Sequence, residues 1–251
     1  MITTIIPASS LKSEMIDELM EVPYLKVSEF YCDTIQGEGS YIGHPATFLR
    51  LTNCSLNCIY CDSKEVWRKG NPYSFQELFD LMDLADLPRK LHEGQHLVIT
   101  GGSPLLQQNV LVDFLHAFIS LYKFKPFIEI ENEAVIMPSA ILLNLVDCWN
   151  NSPKLMSSGM TNFYKLEVIK ILAAQQNSWF KFVISKKEDW KEIINLYGRW
   201  IKKEQIILMP EGAAREEIKK NQEVTLQMAI MNGVRYSDRL HIALWGKKVG
   251  V

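Results

Sequence analysis

The sequence predicts an α/β fold built as an incomplete (β/α)6-type barrel, and three observations carry that expectation. From Glu29 onward, short apolar runs alternate with longer segments of helical period. Strand and helix candidates follow one another, which is the order of a parallel sheet assembled from βα units. The most distinctive loops begin where strands end, as they do on the C-terminal face of a β/α barrel.

The expected strands are 46–51, 96–100, 127–131, 145–149, 179–185 and 205–209. The expected helices are 74–84, 107–122, 138–145, 162–174, 187–200 and 213–231. Ser74 followed by Glu77 has the pattern of a capping box, and Pro138 suits a first helical turn. About six units fall short of the eight that close a full barrel. Residues 1–28 are expected to form an N-terminal extension, with a short amphipathic helix over 13–20 ended by Pro23, and residues 29–251 the main domain.

Composition narrows the function classes. Hydrophobic residues make up 47% and charged residues 22%, an ordinary soluble balance. A net charge of −2 and the absence of a Lys/Arg stripe give no case for a nucleic-acid partner. No apolar stretch is long enough to span a bilayer, so no membrane partner is expected. The first ten residues lack the basic start and long apolar run of a secretory signal. Five cysteines, three of them within eight positions, suit a reducing compartment and metal binding better than a disulfide framework. A cytoplasmic location is therefore expected.

The most specific feature is Cys54-Ser-Leu-Asn-Cys58-Ile-Tyr-Cys61. Its three thiols sit on one tight loop and can point to one centre. A cubane iron–sulfur cluster normally takes four thiolates. Three would leave one iron open for a substrate or cofactor, as a catalytic zinc keeps an open position. Structural zinc is an alternative, although no second Cys-x-x-Cys supplies its remaining ligands, and Cys32 and Cys148 are isolated. A ferredoxin-like carrier would need a fourth nearby cysteine, and three unligated thiols at this spacing are improbable.

The loop resembles the signature of the radical S-adenosylmethionine superfamily. Its surroundings extend the likeness: TIQGEG at 34–39, Arg50, Cys61-Asp-Ser63, TGGSP at 100–104, Ser152-Pro-Lys154, LMPEG at 208–212, SDRLH at 237–241 and Trp245-Gly246. Taken in order over residues 29–251, they resemble the 7-carboxy-7-deazaguanine synthases. The resemblance implies a radical ring contraction of 6-carboxy-5,6,7,8-tetrahydropterin to 7-carboxy-7-deazaguanine with loss of ammonia, within queuosine-type deazapurine biosynthesis. It further implies a 4Fe-4S cluster, S-adenosylmethionine and Mg2+ as cofactors, an electron donor such as flavodoxin, and a homodimer.

The resemblance also implies site roles. Cys54, Cys58 and Cys61 would hold the cluster. Tyr60, Cys61, Asp62, Gly102, Ser152, Pro153 and Lys154 would contact S-adenosylmethionine. Ile35, Gln36, Gly37, Glu38, Arg50, Thr100 and the terminal Val251 would contact substrate, with Arg50 suited to a carboxylate by its bidentate fork. Ser63 would be a magnesium ligand through its hydroxyl. The chain departs from the family pattern twice. Ser103 stands where the family usually has Glu, removing a charged acceptor near the cofactor, and the loop Glu131-Asn-Glu-Ala-Val135 replaces the usual Glu-Thr-Asn-Gly-Thr. Those departures keep open a catalytically altered or regulatory homologue, and the cysteine loop alone also admits a glycyl-radical activating enzyme.

Overall fold

Successive residues along the central strands turn to opposite faces of a sheet, and the two faces differ in chemistry. In a computed structural model describing residues 2–7, 22–246, 248 and 250, the strands are β1 (Thr3–Ile6), β2 (Tyr24–Ile35), β3 (Pro45–Leu51), β4 (Asn71–Ser74) and β5 (His96–Gly101). They continue as β6 (Ile128–Asn132), β7 (Cys148–Asn151), β8 (Ser178–Ile184), β9 (Ile206–Pro210) and β10 (Arg235–Tyr236). The sheet order is β1-β2-β3-β5-β6-β7-β8-β9-β10, with β4 pairing β2. From β3 to β10 each neighbouring pair is parallel, while β1, β2 and β4 are antiparallel additions at one edge. Among the described residues no ladder joins the two edges, so the barrel is not closed by hydrogen bonds.

The six expected strands form, shifted by one to three residues. The largest shift is at β7, where apolar patterning favoured 145–149 and the strand is Cys148–Asn151. Its asparagines escaped that pattern because they pair sideways: Asn132 Nδ2 donates to Asn151 Oδ1 at 2.8 Å, and Asn151 Nδ2 to Ser178 Oγ at 2.7 Å. The expected helices also form, shortened or shifted at their ends: α2 (Phe75–Leu84), α4 (Gln108–Tyr122), α5 (Ala140–Leu145), α6 (Leu166–Ala173), α7 (Asp189–Tyr197) and α8 (Arg215–Asn232). Ser74 and Glu77 make the reciprocal capping box. Pro138 falls outside its helix, because the Ser139 hydroxyl accepts from Leu142 N and caps the chain one residue later. The sequence patterns missed α1 (Lys64–Trp67), α3 (Leu87–His92) and α9 (Leu240–Trp245), all too short to show a period. They also missed β1, β2, β4 and β10. β2 begins at Tyr24, inside the expected extension, and β1 pairs with it at Thr3–Cys32 and Thr4–Tyr31. The helix expected over 13–20 lies outside the described residues.

On the outer face, Leu49, Leu51, Leu97, Ile99, Ile128, Ile130, Phe180, Phe182 and Leu208 belong to one apolar core shared with the helices. On the inner face, Tyr31, Ala46, Phe48 and Val98 make a small separate cluster. Beyond it, toward the strands' C-terminal ends, the inward positions become polar: Arg50, Thr100, Glu131, Asn150 and Lys181. Among the described residues no helix is long and apolar enough to cross a membrane.

Phe182 has no exposed surface and stacks near Tyr197 of α7, with ring centroids 5.1 Å apart. Phe182→Ala should lower unfolding stability by about 3–5 kcal/mol through lost transfer energy and the residual cavity. A urea midpoint shift at unchanged slope measures it.

Candidate iron–sulfur and cofactor site

The chain reverses at Asn53, where φ is +70°, and enters the cysteine loop from the end of β3. Asn can take this left-handed conformation because its short polar side chain tolerates it. The loop is then pinned from two sides. Asn53 N donates to Trp67 O at 2.9 Å, and Ser103 N donates to Asn53 O at 2.9 Å. Gly102 makes the second contact possible: a Cβ there would lie 2.4 Å from Cys54 Cβ and 2.5 Å from Asn53 O. The loop after β5 thus packs directly on the backbone that presents the first cysteine.

Cys54, Cys58 and Cys61 all face one cavity of about 560 Å³ at the C-terminal ends of the strands. Burial pushes the Cys54 and Cys58 thiols above their ordinary pKa, so an electrophilic metal is needed to hold them as thiolates at neutral pH. Leu56, Cys58 and Phe163 form an apolar cluster behind the loop. Donors reach the sulfurs: Leu56 N and Ser103 Oγ approach Cys54 Sγ at 3.4 and 3.5 Å, and Trp67 Nε1 approaches Cys61 Sγ at 3.4 Å. Hydrogen bonds of this kind tune a thiolate-held cluster. Among the described residues no three Cys, His, Asp or Glu side chains converge as a single metal ion requires.

The opposite wall carries charge. Glu38 is partly buried between Lys181, with which it pairs directly, and Arg239, whose Nε donates to it at 2.9 Å. Arg239 also pairs with Asp62 and donates to Gly212 O. Burial alone would raise the Glu38 carboxyl, but the charges of Lys181, Arg239 and His241 hold it well below the usual range. Burial lowers His241, leaving a neutral imidazole at pH 7 beside that anion. His241 packs so closely on the 35–38 loop that a Cβ on Gly37 would lie 2.2 Å from its Nδ1. Arg50 donates through Nε to the buried Glu29 at 2.6 Å, anchoring the guanidinium on the cavity wall.

Gln36 is spoken for by the protein itself. Its Nε2 donates to Glu129 Oε2 and Glu131 Oε1 at 3.3 Å each, and its Oε1 accepts from Glu38 N at 3.2 Å. Glu129 also receives Asn150 Nδ2 at 2.8 Å and lies 2.6 Å from His96 Nδ1. Thr100 Oγ1 donates to Glu131 at 2.9 Å. Ser63 precedes α1 but its hydroxyl makes no capping bond; it faces the cavity 3.7 Å from Cys61 Sγ.

The cavity thus gathers Ile35, Gln36, Gly37, Glu38, Arg50, Cys54, Cys58, Tyr60, Cys61, Asp62, Ser63, Thr100, Gly102, Ser152 and Lys154. Pro153 is buried beside it without lining it, and Val251 lies outside the described residues. The sequence patterns assigned no site role to Glu29, Lys181, Arg239 or His241, although the last two lie in the SDRLH motif at 237–241. Lys181 left a signal, since a lone lysine between Phe180 and Phe182 marks an inward position in an apolar strand.

An open α/β barrel that presents three cysteines beside a charged pocket at its strand ends defines a radical S-adenosylmethionine enzyme. A model described as a 4Fe-4S single cluster domain matches residues 35–130. The 7-carboxy-7-deazaguanine synthase of Pyrobaculum aerophilum is 31% identical over 91% of this chain and 98% of its own length. That of Koribacter versatilis is 32% identical over 74% and 77%, and that of Bacillus subtilis 28% over 90% and 98%. The crystal structure of QueE from Escherichia coli shares the fold with a TM-score of 0.67 at 19% identity, covering 92% of this chain and 100% of that one. The chain belongs to the 7-carboxy-7-deazaguanine synthase family.

Gly102→Ala should keep the fold but push the 101–104 loop off Cys54, an overpacking cost of about 1–3 kcal/mol. After anaerobic reconstitution the variant should hold much less iron than the unaltered protein at the same circular-dichroism spectrum. Equal iron content would show that this contact does not shape the cysteine loop.

Proposed function

We propose that this protein converts 6-carboxy-5,6,7,8-tetrahydropterin to 7-carboxy-7-deazaguanine by a radical ring contraction with loss of ammonia. The observation that carries the reading is one cavity lined by the three-cysteine loop, the guanidinium of Arg50 and the charged group around Glu38. The names and coverage of the curated relatives support it.

Cys54, Cys58 and Cys61 would hold the cluster, and Gly102, Ser152 and Lys154 would line the seat of S-adenosylmethionine. When bound, those groups supply an electron and the radical that takes a hydrogen from the substrate. The chain's own residues position and polarise. Arg50, anchored by Glu29 through Nε, offers its remaining donors to the substrate carboxylate. Glu38 and Glu131 present acceptors to the N–H edge of the pterin, and Gln36 sets the spacing between them through its bonds to both segments. His241, neutral and wall-lining, is the group able to take or give a proton at pH 7 while ammonia departs. The apolar face of Tyr31, Phe48 and Val98 closes the barrel floor against water. Ser63 would bind Mg2+ through its hydroxyl, since a hard cation prefers oxygen and keeps waters. An electron donor such as flavodoxin, a homodimeric assembly and a cytoplasmic location complete the proposal.

The decisive assay supplies reduced, reconstituted protein with the tetrahydropterin, S-adenosylmethionine and Mg2+ under anaerobic conditions. Formation of 7-carboxy-7-deazaguanine is expected; no product from fully loaded protein would sink the reading. In the same assay Ser63→Ala should weaken the dependence of rate on Mg2+ concentration, and an unchanged dependence would remove Ser63 from the metal's coordination.

A further inference from the structure

One buried carboxylate holds the 36–44 loop from two ends. Glu129 of β6 has no exposed surface. Its Oε2 accepts from Gln36 Nε2 at 3.3 Å and from Asn150 Nδ2 at 2.8 Å, and His96 Nδ1 donates to its Oε1 at 2.6 Å. Asn150 carries the hold onward, since its Oδ1 accepts from Ser40 N at 3.3 Å and from Ser40 Oγ at 3.0 Å. Gly39 lies so close that a Cβ there would come within 2.8 Å of that same oxygen. The His96 ring stacks on both His44 and Phe127, with centroids 3.7 and 3.9 Å away. His44 in turn closes the loop on itself: Gln36 N donates to His44 O, and Gly43 N to Gln36 O, at 2.7 Å each.

We propose that Glu129 is a positioning residue for substrate: it fixes the Gln36 amide, and with it the spacing at which Glu38 and Glu131 meet the ring edge of the tetrahydropterin. The inference rests on the reading of this cavity as the tetrahydropterin site. Glu129 and Glu131 flank Ile130 on β6 and so share the inward face, but only Glu131 lines the cavity. Glu129 therefore acts through Gln36, whose Nε2 it shares with Glu131 Oε1 at 3.3 Å. Gln36 Oε1 then meets the N–H of Glu38 at 3.2 Å. A turned amide would set its oxygen against both carboxylates and its NH2 against that N–H, so the two acidic groups select one orientation. Packing alone does not call for a carboxylate at this depth. Val98 stands opposite Glu129 in the β5–β6 register and belongs to the apolar inner cluster. Burying a charge there instead is costly, and its donors offset the cost while tying it to the loop.

The test uses anaerobically reconstituted holoprotein with S-adenosylmethionine but no reductant, so that the tetrahydropterin binds without turnover. Equilibrium dialysis gives its affinity, with iron content and thermal midpoint recorded for each variant. Glu129→Leu should bind the tetrahydropterin roughly 10-fold more weakly at unchanged iron content, the scale of one hydrogen bond to a charged group. Glu129→Gln, which keeps an acceptor without the charge, should fall between that variant and the unaltered protein. Two analogues separate positioning from loosened packing. One lacking the exocyclic amino group has given up part of the ring edge and should lose little further in Glu129→Leu. One lacking the carboxylate has given up the Arg50 contact alone and should suffer the full loss. Equal further losses for the two analogues, or unchanged tetrahydropterin affinity in fully loaded Glu129→Leu, would overturn the assignment. If Glu129→Leu does not fold, Glu129→Gln goes through the same comparison, and equal losses there overturn it. Unaltered holoprotein that binds no tetrahydropterin would remove both this inference and the functional reading beneath it.

Discussion

Each parallel strand here must satisfy two environments at once, because its side chains alternate between faces and both faces are covered. The outward positions of β3, β5, β6 and β8 meet helices and are mostly apolar. The inward positions start apolar, at Ala46 and Val98, and turn polar toward the strand ends, at Arg50, Thr100, Glu131 and Lys181. Everything functional follows from that gradient. A polar side chain at an inward strand end has no helix to pack on, so it must find a partner across the cavity or wait for a ligand.

Most of them find partners. Glu129 is enclosed by Gln36, Asn150 and His96, a fully answered carboxylate that ties β6 to β7 and to the 35–38 loop. Glu38 is ionised against Lys181 and Arg239, contributed by β8 and by the segment before α9. Removing one member of such a buried set would strand its neighbours, at a cost on the order of 3–5 kcal/mol. The set therefore fastens the C-terminal segment to the barrel while keeping a neutral His241 at the cavity wall. Positioning and stability are the same interactions read at two levels.

The cysteine loop obeys a different rule. Its Cys54 and Cys58 thiols are held in partly apolar surroundings that oppose ionisation, and the donors near Cys54 do not reverse that. The loop is thus built to be completed by a positively charged centre, with its shape set beforehand by Asn53, Gly102 and Trp67. Such a design suits the family to which the chain belongs and the 4Fe-4S single cluster domain that matches residues 35–130.

What the sequence determined by itself was local. The spacing of Cys54, Cys58 and Cys61 announced a metal loop, apolar runs located the six main strands, and Ser74 with Glu77 marked a helix start that forms as read. Those signals survive because they depend on residues a few positions apart. Edge strands were hidden: β2 carries Ser28, Glu29 and Asp33 among its apolar residues, and only pairing with β3 and β4 makes an extended strand of it. The asparagines of β7 lie beyond the 145–149 strand that apolar patterning marks, and the bonds between Asn132, Asn151 and Ser178 draw them into the sheet. The partners of Glu38 lie at Lys181 and Arg239, far along the chain, and nothing in the local pattern joins them. Tertiary structure alone decided which charges meet, because a buried charge is satisfied by whatever the closing sheet brings within a hydrogen bond's reach, and sequence separation sets no limit on that.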